Sequence, residues 1–275
     1  MQIGVATFIT DEGIGPADLG RALEEREFDS LLITEHTHIP ASRETPYPAG
    51  GDLPRVYFRT LDPFVALTAA AVVTTRLQVA TGVALVPQRD VIHTAKQVAS
   101  LDLVSNGRFL FGVGAGWNIE EMRSHGTDPK TRGKRLDESL AAMKRIWTEE
   151  KAEFHGELVN FEPLFAWPKP VQRPHPPIYI GGGSKAALRR VVEHGDGWLA
   201  LGAPPEAIAK TRQFFAEQGR DDVQVAFFGA PPKADAIAAY ADAGVDHLTL
   251  MLPTVPTDET LSKLDSYAEL AAKYR

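Results

Sequence analysis

Residues 77–100 read LQVATGVALVPQRDVIHTAKQVAS, and the change of period within them decides the fold. A short solid apolar run, residues 77–83, gives way at Asp90 to a helix start, after which Val91, Ala95 and Val98 return on one helical face. This is a buried strand feeding an amphipathic helix, and the switch recurs along the chain. Apolar runs at 3–8, 30–34, 109–113, 178–181, 198–201, 223–228 and 247–252 are each followed by a helical pattern. After 109–113, for example, Leu136, Leu140, Met143 and Trp147 fall on one helical stripe. Asp62 followed by Pro63 is a good N-cap and first-turn pair for a helix running through Thr75, since proline's missing N–H costs nothing there. The last helix is expected near 258–274. Eight strand and helix units in about 250 residues suit a closed parallel (β/α)8 barrel better than an open doubly wound sheet of about six strands. The expectation is one α/β domain over residues 1–275, a TIM barrel with an insertion loop after strand 2.

Composition narrows the function. The chain has 275 residues, a formal net charge of −7 and no cysteine. No broad basic surface is available to neutralise a nucleic acid, and disulfides, thiolate nucleophiles and thiolate metal sites are excluded. The start, MQIGVATF, runs directly into a strand, and no apolar run approaches the ~20 residues of a membrane helix. A cytoplasmic protein without membrane contact is expected.

Two stretches break the rhythm. Residues 37–60, THIPASRETPYPAGGDLPRVYFRT, carry four prolines and a Gly-Gly pair between the second strand and its helix. A loop this long suggests a lid over the barrel mouth. Residues 166–177, AWPKPVQRPHPP, are too proline-rich for a central strand and read as an extended strap. Neither reads as a domain boundary.

In a barrel of this kind the chemistry lies at the C-terminal ends of the strands. Residues 31–40, LLITEHTHIP, put Glu35, His36 and His38 at one such end. A metal centre would need further ligands converging from other strand ends. Those ends carry glycines, apolar residues and a tryptophan, so no metal is expected. FGVGAGWN places Gly112, Gly114 and Gly116 around the fourth strand end, and IYIGGGSKAALRR runs from the fifth strand through Gly181, Gly182 and Gly183 into a helix opened by Ser184. Neither is a dinucleotide fingerprint, because Trp117 stands where the third glycine would be. The second stretch has two readings: a phosphate site, with unpaired N–H groups at a helix start and close backbone approach at glycine, or a tight turn with Ser184 as its cap.

TEHTHIPASRETPYP, LDPFVALTAAA, VATGVALVPQRDVIHTAKQVASLD, SNGRFLFGVGAGW, PKPVQRPHPPIYIGGGSKAALRR and GDGW together span almost the whole chain. They resemble the luciferase-like monooxygenase superfamily, and within it the actinobacterial branch of deazaflavin (coenzyme F-420)-dependent oxidoreductases. The resemblance implies a flavin-shaped cofactor in the barrel mouth, its phosphate on the loop after the fifth strand, and a nonprolyl cis peptide at the end of the third strand, here Gly82–Val83. It implies cofactor contacts from Thr7, Thr81, Gly82, Val83, Gly116, Asn118, Gly181, Gly182, Gly183, Ser184 and Lys185. Phe8, Glu35 and Trp117 are assigned to the substrate pocket, with the Glu35 carboxylate expected to turn behind the strand onto neighbours or an arginine. His36 is the expected catalytic residue, a group whose reference pKa of about 6.5 suits proton transfer. Arg43, Arg55 and Arg59 of the loop are expected near the coenzyme's anionic tail. The superfamily's sugar-phosphate dehydrogenase has a glutamate acid where this chain has Trp117, so that oxidation is not expected. The reading is hydride transfer between coenzyme F-420 and a small organic substrate. A two-component monooxygenase using reduced FMN and a separate reductase is the alternative, and a non-catalytic flavin- or deazaflavin-binding protein is the further one. Relatives suggest a homodimer.

Overall fold

The computed structural model describes residues 1–274. In chain order the elements are β1 (Gln2–Thr7), α1 (Pro16–Glu25), β2 (Ser30–Ile33), α2 (Pro63–Ala71), β3 (Gln78–Thr81), α3 (Val91–Val104), β4 (Phe109–Val113), α4 (Ile119–Ser124), α5 (Arg132–Thr148), β5 (Ala152–His155), β6 (Asn160–Leu164), β7 (Ile178–Gly181), α6 (Lys185–His194), β8 (Gly197–Leu201), α7 (Pro205–Glu217), β9 (Gln224–Ala230), α8 (Ala234–Asp242), β10 (His247–Met251) and α9 (Thr257–Ala271). All strands except β5 and β6 join one closed parallel barrel in the order β1-β2-β3-β4-β7-β8-β9-β10, with Gln2 paired to His247 where β10 meets β1.

Strands of such a barrel are buried on both faces, so they read as solid apolar runs. Ala6, Leu32, Ala80, Leu110, Leu199, Ala226 and Phe228 fill the interior. Alternate residues such as Val5, Leu31, Val79, Phe111 and Ile180 belong to the core under the helices. Gly112 is forced by packing: a Cβ there would lie 1.9 Å from the Thr81 carbonyl oxygen.

Three local departures from the expected pattern have clear causes. Helix α2 stops at Ala71 instead of Thr75 because Arg108 takes the carbonyls of Ala71, Thr74 and Leu77, while the Glu24 carboxylate accepts the N–H groups of Thr75, Arg76 and Leu77. Burial alone would raise the Glu24 pKa, but those backbone donors outweigh it and bring it down to about 2. The antiparallel hairpin β5–β6 had no expectation in the sequence, and it lies outside the barrel. The strap is pinned by the fully buried Asp102, which accepts from the N–H groups of Val171 (2.6 Å) and Gln172 (2.9 Å) and from the Gln172 side-chain amide (2.6 Å).

The 37–60 loop contains one 3-10 turn, Arg55–Phe58. Its far end is zipped to the β1–α1 loop by a Thr10–Thr60 bridge and by the Leu61 N–H donating to the Ile9 carbonyl at 2.9 Å. Its middle is tied to α4, where Glu120 accepts from the Thr45 N–H (2.6 Å) and the Thr45 hydroxyl. No helix among the described residues is long and apolar enough to cross a membrane.

Candidate active site

Strand β2 delivers two buried titratable side chains to the mouth, and they have different partners. Glu35 accepts from the Leu85 N–H at 2.6 Å and from Arg89 Nε at 2.7 Å. Arg89 is itself held by Gln97 and Asp62, with its guanidinium 4.7 Å from the centre of the Phe64 ring. Glu35 therefore clamps the segment after β3, and its buried carboxylate, bonded to Leu85 and Arg89, is not free to line the substrate pocket to which it was assigned.

His36 turns to Glu121. Its Nδ1 lies 2.9 Å from one carboxylate oxygen and 3.1 Å from the other, and Glu121 has no solvent exposure. Bonded this way, Nδ1–H donates to the carboxylate and Nε2 carries the exchangeable position; among the described residues Nε2 has no hydrogen-bond partner. Glu121 comes from α4, whose N-cap Asn118 accepts the Glu121 N–H at 3.1 Å. An Asn followed three residues later by Glu is capping-box spacing, but this glutamate reaches across to His36 instead of back to its own helix start. Sequence reasoning missed Glu121. The spacing was the one available signal, and by itself it announces only a helix.

Aromatic rings enclose the histidine. Tyr57 lies 5.2 Å and Trp117 5.9 Å from the His36 ring, centre to centre, and Phe8 lies 4.8 Å from Tyr57. Tyr47 packs edge-on against Tyr57 at 5.4 Å and Trp117 at 6.2 Å, and the two phenol oxygens are 3.3 Å apart. Burial raises the Tyr57 phenol well above its ordinary range, so it stays a neutral donor. His38 stands apart from this group, sharing the Thr37 hydroxyl with His125.

The residues assigned to the cofactor divide into wall and opening. The hydroxyls of Thr7 and Thr81 are engaged with the Leu252 and Gly112 carbonyls, binding neighbouring strands together. The Gly82–Val83 peptide is cis. Val83 seats against two glycines, since a Cβ on Gly114 would come within 2.6 Å of it and one on Gly181 within 2.8 Å. Beyond that seat the chain opens. Gly182 has φ +107°, a conformation that favours glycine, and a Cβ on Gly183 would meet nothing within 4 Å. Ser184 caps α6 by accepting the Ala187 N–H at 3.2 Å, and Trp198 fixes the turn by donating to the Gly182 carbonyl at 2.7 Å. Among the described residues no acceptor takes the N–H groups of Gly183, Ser184 or Lys185. Near β4, the Asn118 Nδ2 and both amide atoms of Gln88 are buried without partners, with Gly116 (φ +79°) beside Gln88.

The loop arginines are engaged elsewhere. Arg55 pairs with Glu12, and Arg59 with Asp11 and Glu12, so neither is free for an anionic tail; Arg43 is exposed. No group of three or more His, Cys, Asp or Glu among the described residues could hold a metal ion.

A parallel barrel with a buried histidine–carboxylate pair after one strand and an open glycine turn after another defines a class, and the chain belongs to the luciferase-like monooxygenase family, whose sequence profile matches residues 16–275. Members of that family are oxidoreductases and monooxygenases. An uncharacterised protein of Mycobacterium tuberculosis is 39% identical over 281 residues, covering 99% of this chain and 98% of that one. Among solved structures, a monooxygenase from Streptomyces bottropensis superposes with a TM-score of 0.80 at 20% identity, covering the whole of both chains. An F-420-dependent secondary alcohol dehydrogenase, solved with an F-420–acetone adduct, has a TM-score of 0.78 at 18% identity, covering 100% of this chain and 99% of that one. These likenesses bear on the fold.

Proposed function

We propose that this chain is a deazaflavin (coenzyme F-420)-dependent oxidoreductase acting on a small organic substrate. The observation that carries the proposal is the buried His36–Glu121 pair, with His36 Nε2 left unbonded, on a barrel that also has an open glycine turn at a helix start. The residues fit the group: free N–H donors at Gly183, Ser184 and Lys185 suit a phosphate, and the unpartnered amides of Gln88 and Asn118 suit a polar ring edge. When bound, the deazaflavin supplies or takes up a hydride. The protein's own part is to hold a proton at His36 Nε2 for an oxygen of the substrate, with Glu121 orienting the imidazole and stabilising it when charged. Phe8, Tyr57 and Trp117 keep water from that proton. The likeness to the alcohol dehydrogenase supports this reading.

A second reading, reduced FMN with oxygen and a separate reductase, uses the same glycine turn and is supported by the Streptomyces monooxygenase likeness. A purely binding role leaves the buried histidine–carboxylate pair without a use.

The test is a titration with F-420 and with FMN, followed by fluorescence. F-420 is expected to saturate the protein, and saturation by FMN alone would sink the proposal. Gly182→Val should weaken coenzyme binding by roughly 10² to 10⁴, the effect of displacing a phosphate from two charge-assisted hydrogen bonds. Ser184→Ala should weaken it about tenfold, since its hydroxyl already caps α6. A folded Gly182→Val protein binding as tightly as the parent would move the phosphate elsewhere.

A further inference from the structure

The side chains around His36 define what kind of molecule can approach it. Tyr47, Tyr57 and Trp117 pack on one another edge-on, with interplanar angles of 71°, 60° and 83°. Their polar atoms are all neutral: two phenol hydroxyls and the indole N–H of Trp117, which has no acceptor among the described residues. Three of the four arginines near this group in the chain and loop are matched by carboxylates. Arg55 and Arg59, which flank Tyr57, are held by Glu12 and Asp11, and Arg89 by Glu35 and Asp62. Glu120 and Glu121, one helical turn beyond Trp117, have no Lys or Arg partner among the described residues; Glu120 is satisfied by Thr45 and Glu121 by His36. An anionic substrate beside His36 would meet the two carboxylates of α4, and Arg43, exposed on the 37–60 loop, is the one of these arginines with no carboxylate partner among the described residues. A cationic one would meet carboxylates already bonded to Thr45 and His36.

We propose that the mouth above His36 takes an uncharged, ring-bearing carbonyl compound. Its ring lies against Trp117 and Tyr47, and its carbonyl oxygen accepts a hydrogen bond from His36 or a tyrosine hydroxyl. This rests on the reading of the site as a redox centre and names the substrate class for it. Tyr47 is the wall that can yield, because it belongs to the 37–60 loop, is only half-buried, and among the described residues its side chain hydrogen-bonds only to the Tyr57 hydroxyl.

The probes are 1-tetralone, its 4-carboxylate and protonated 1-aminotetralin, three ligands of one ring size and different charge. Each is titrated calorimetrically into the full chain without coenzyme and again with oxidised coenzyme. 1-Tetralone is expected to bind saturably in at least one state, with the carboxylate and the amine each at least tenfold weaker. Tyr47→Ala and Trp117→Phe should each weaken 1-tetralone by about 3- to 10-fold, the scale of one aromatic contact. Thermal melting checks folding, and Tyr47→Ala, on the exposed loop, carries the test if the tryptophan variant does not fold. Carboxylate or amine binding as tight as 1-tetralone, no saturable binding in either state, or tetralone affinity unchanged in both variants would overturn the proposal. The coenzyme titration of the Gly182 variant is a separate measurement, so failure of either reading is visible apart from the other.

Discussion

Glu121 is a carboxylate with no solvent exposure and, among the described residues, no Lys or Arg partner. It persists because it sits in the first turn of α4, where unpaired N–H groups favour negative charge, and because His36 donates to it. Removing either residue therefore does different damage. His36→Ala should leave coenzyme affinity within a few-fold and lower turnover by about 10² or more, the scale of a lost general acid or base. Glu121→Gln still offers an oxygen to Nδ1–H, so its loss should be the smaller of the two. Glu121→Ala leaves that N–H unpaired and the ring unanchored, and turnover should approach that of His36→Ala. Steady-state rates at saturating coenzyme, beside a coenzyme titration, check the series. Unchanged turnover in Glu121→Ala would remove it from the mechanism.

Between the elements, single buried acids do the joining. Asp102 lies on α3 but holds the strap with three hydrogen bonds, and Glu24 on α1 holds the start of β3 with the backbone N–H groups of Thr75, Arg76 and Leu77. That residues 166–177 stay out of the barrel sheet was legible from their prolines, though the segment is a series of bends with two cis prolyl bonds and not an extended run; its anchor was not legible, because Asp102 and Val171 are 69 residues apart and nothing local to either announces the pair. Likewise the end of α2 was misplaced by propensity, since the groups that stop the helix come from Glu24 and Arg108. Asp102→Ala should leave the Val171 and Gln172 backbone donors unsatisfied, the Gln172 amide keeping its bond to the Phe109 carbonyl, and cost about 2 to 4 kcal/mol of stability. Urea unfolding measures it, and a loss under about 0.5 kcal/mol would show that the strap is held by other contacts.

At the scale of the whole barrel, the end opposite the mouth contains a second buried histidine. His247, first residue of β10, lies 2.5 Å from the Ser30 hydroxyl of β2 and is fully enclosed, and Gly4 is required beside them because a Cβ would fall 1.9 Å from that hydroxyl. Burial pulls the His247 imidazole down to about 4, with the charge of Asp29 opposing. The native state then binds fewer protons than the unfolded chain between that value and the ordinary 6.5, so this group's contribution is complete above 6.5 and is lost as pH falls toward 4. About 2 kcal/mol should disappear between pH 7 and pH 5. His247→Asn should flatten that dependence in urea unfolding at the two pH values. An equal loss in parent and variant would assign the acid sensitivity to other groups.

The number of units, the positions of the eight barrel strands, the long loop after the second strand, the glycine turn opening α6 and the place of His36 just past the end of the second strand were all readable in the sequence. Each depends on local rules: a doubly buried strand must be apolar throughout, a helix must keep one apolar face, and a turn needing positive φ selects glycine. What Glu121, Arg55 and Tyr47 do was decided only by tertiary structure. Closing the barrel brings β2, α4 and the 37–60 loop together at one rim, and which carboxylate meets His36, which arginine is neutralised and which rings touch depend on distances across that rim. Positions 36 and 121 are 85 residues apart and share no periodicity, so their pairing exists only once the strands between them have closed.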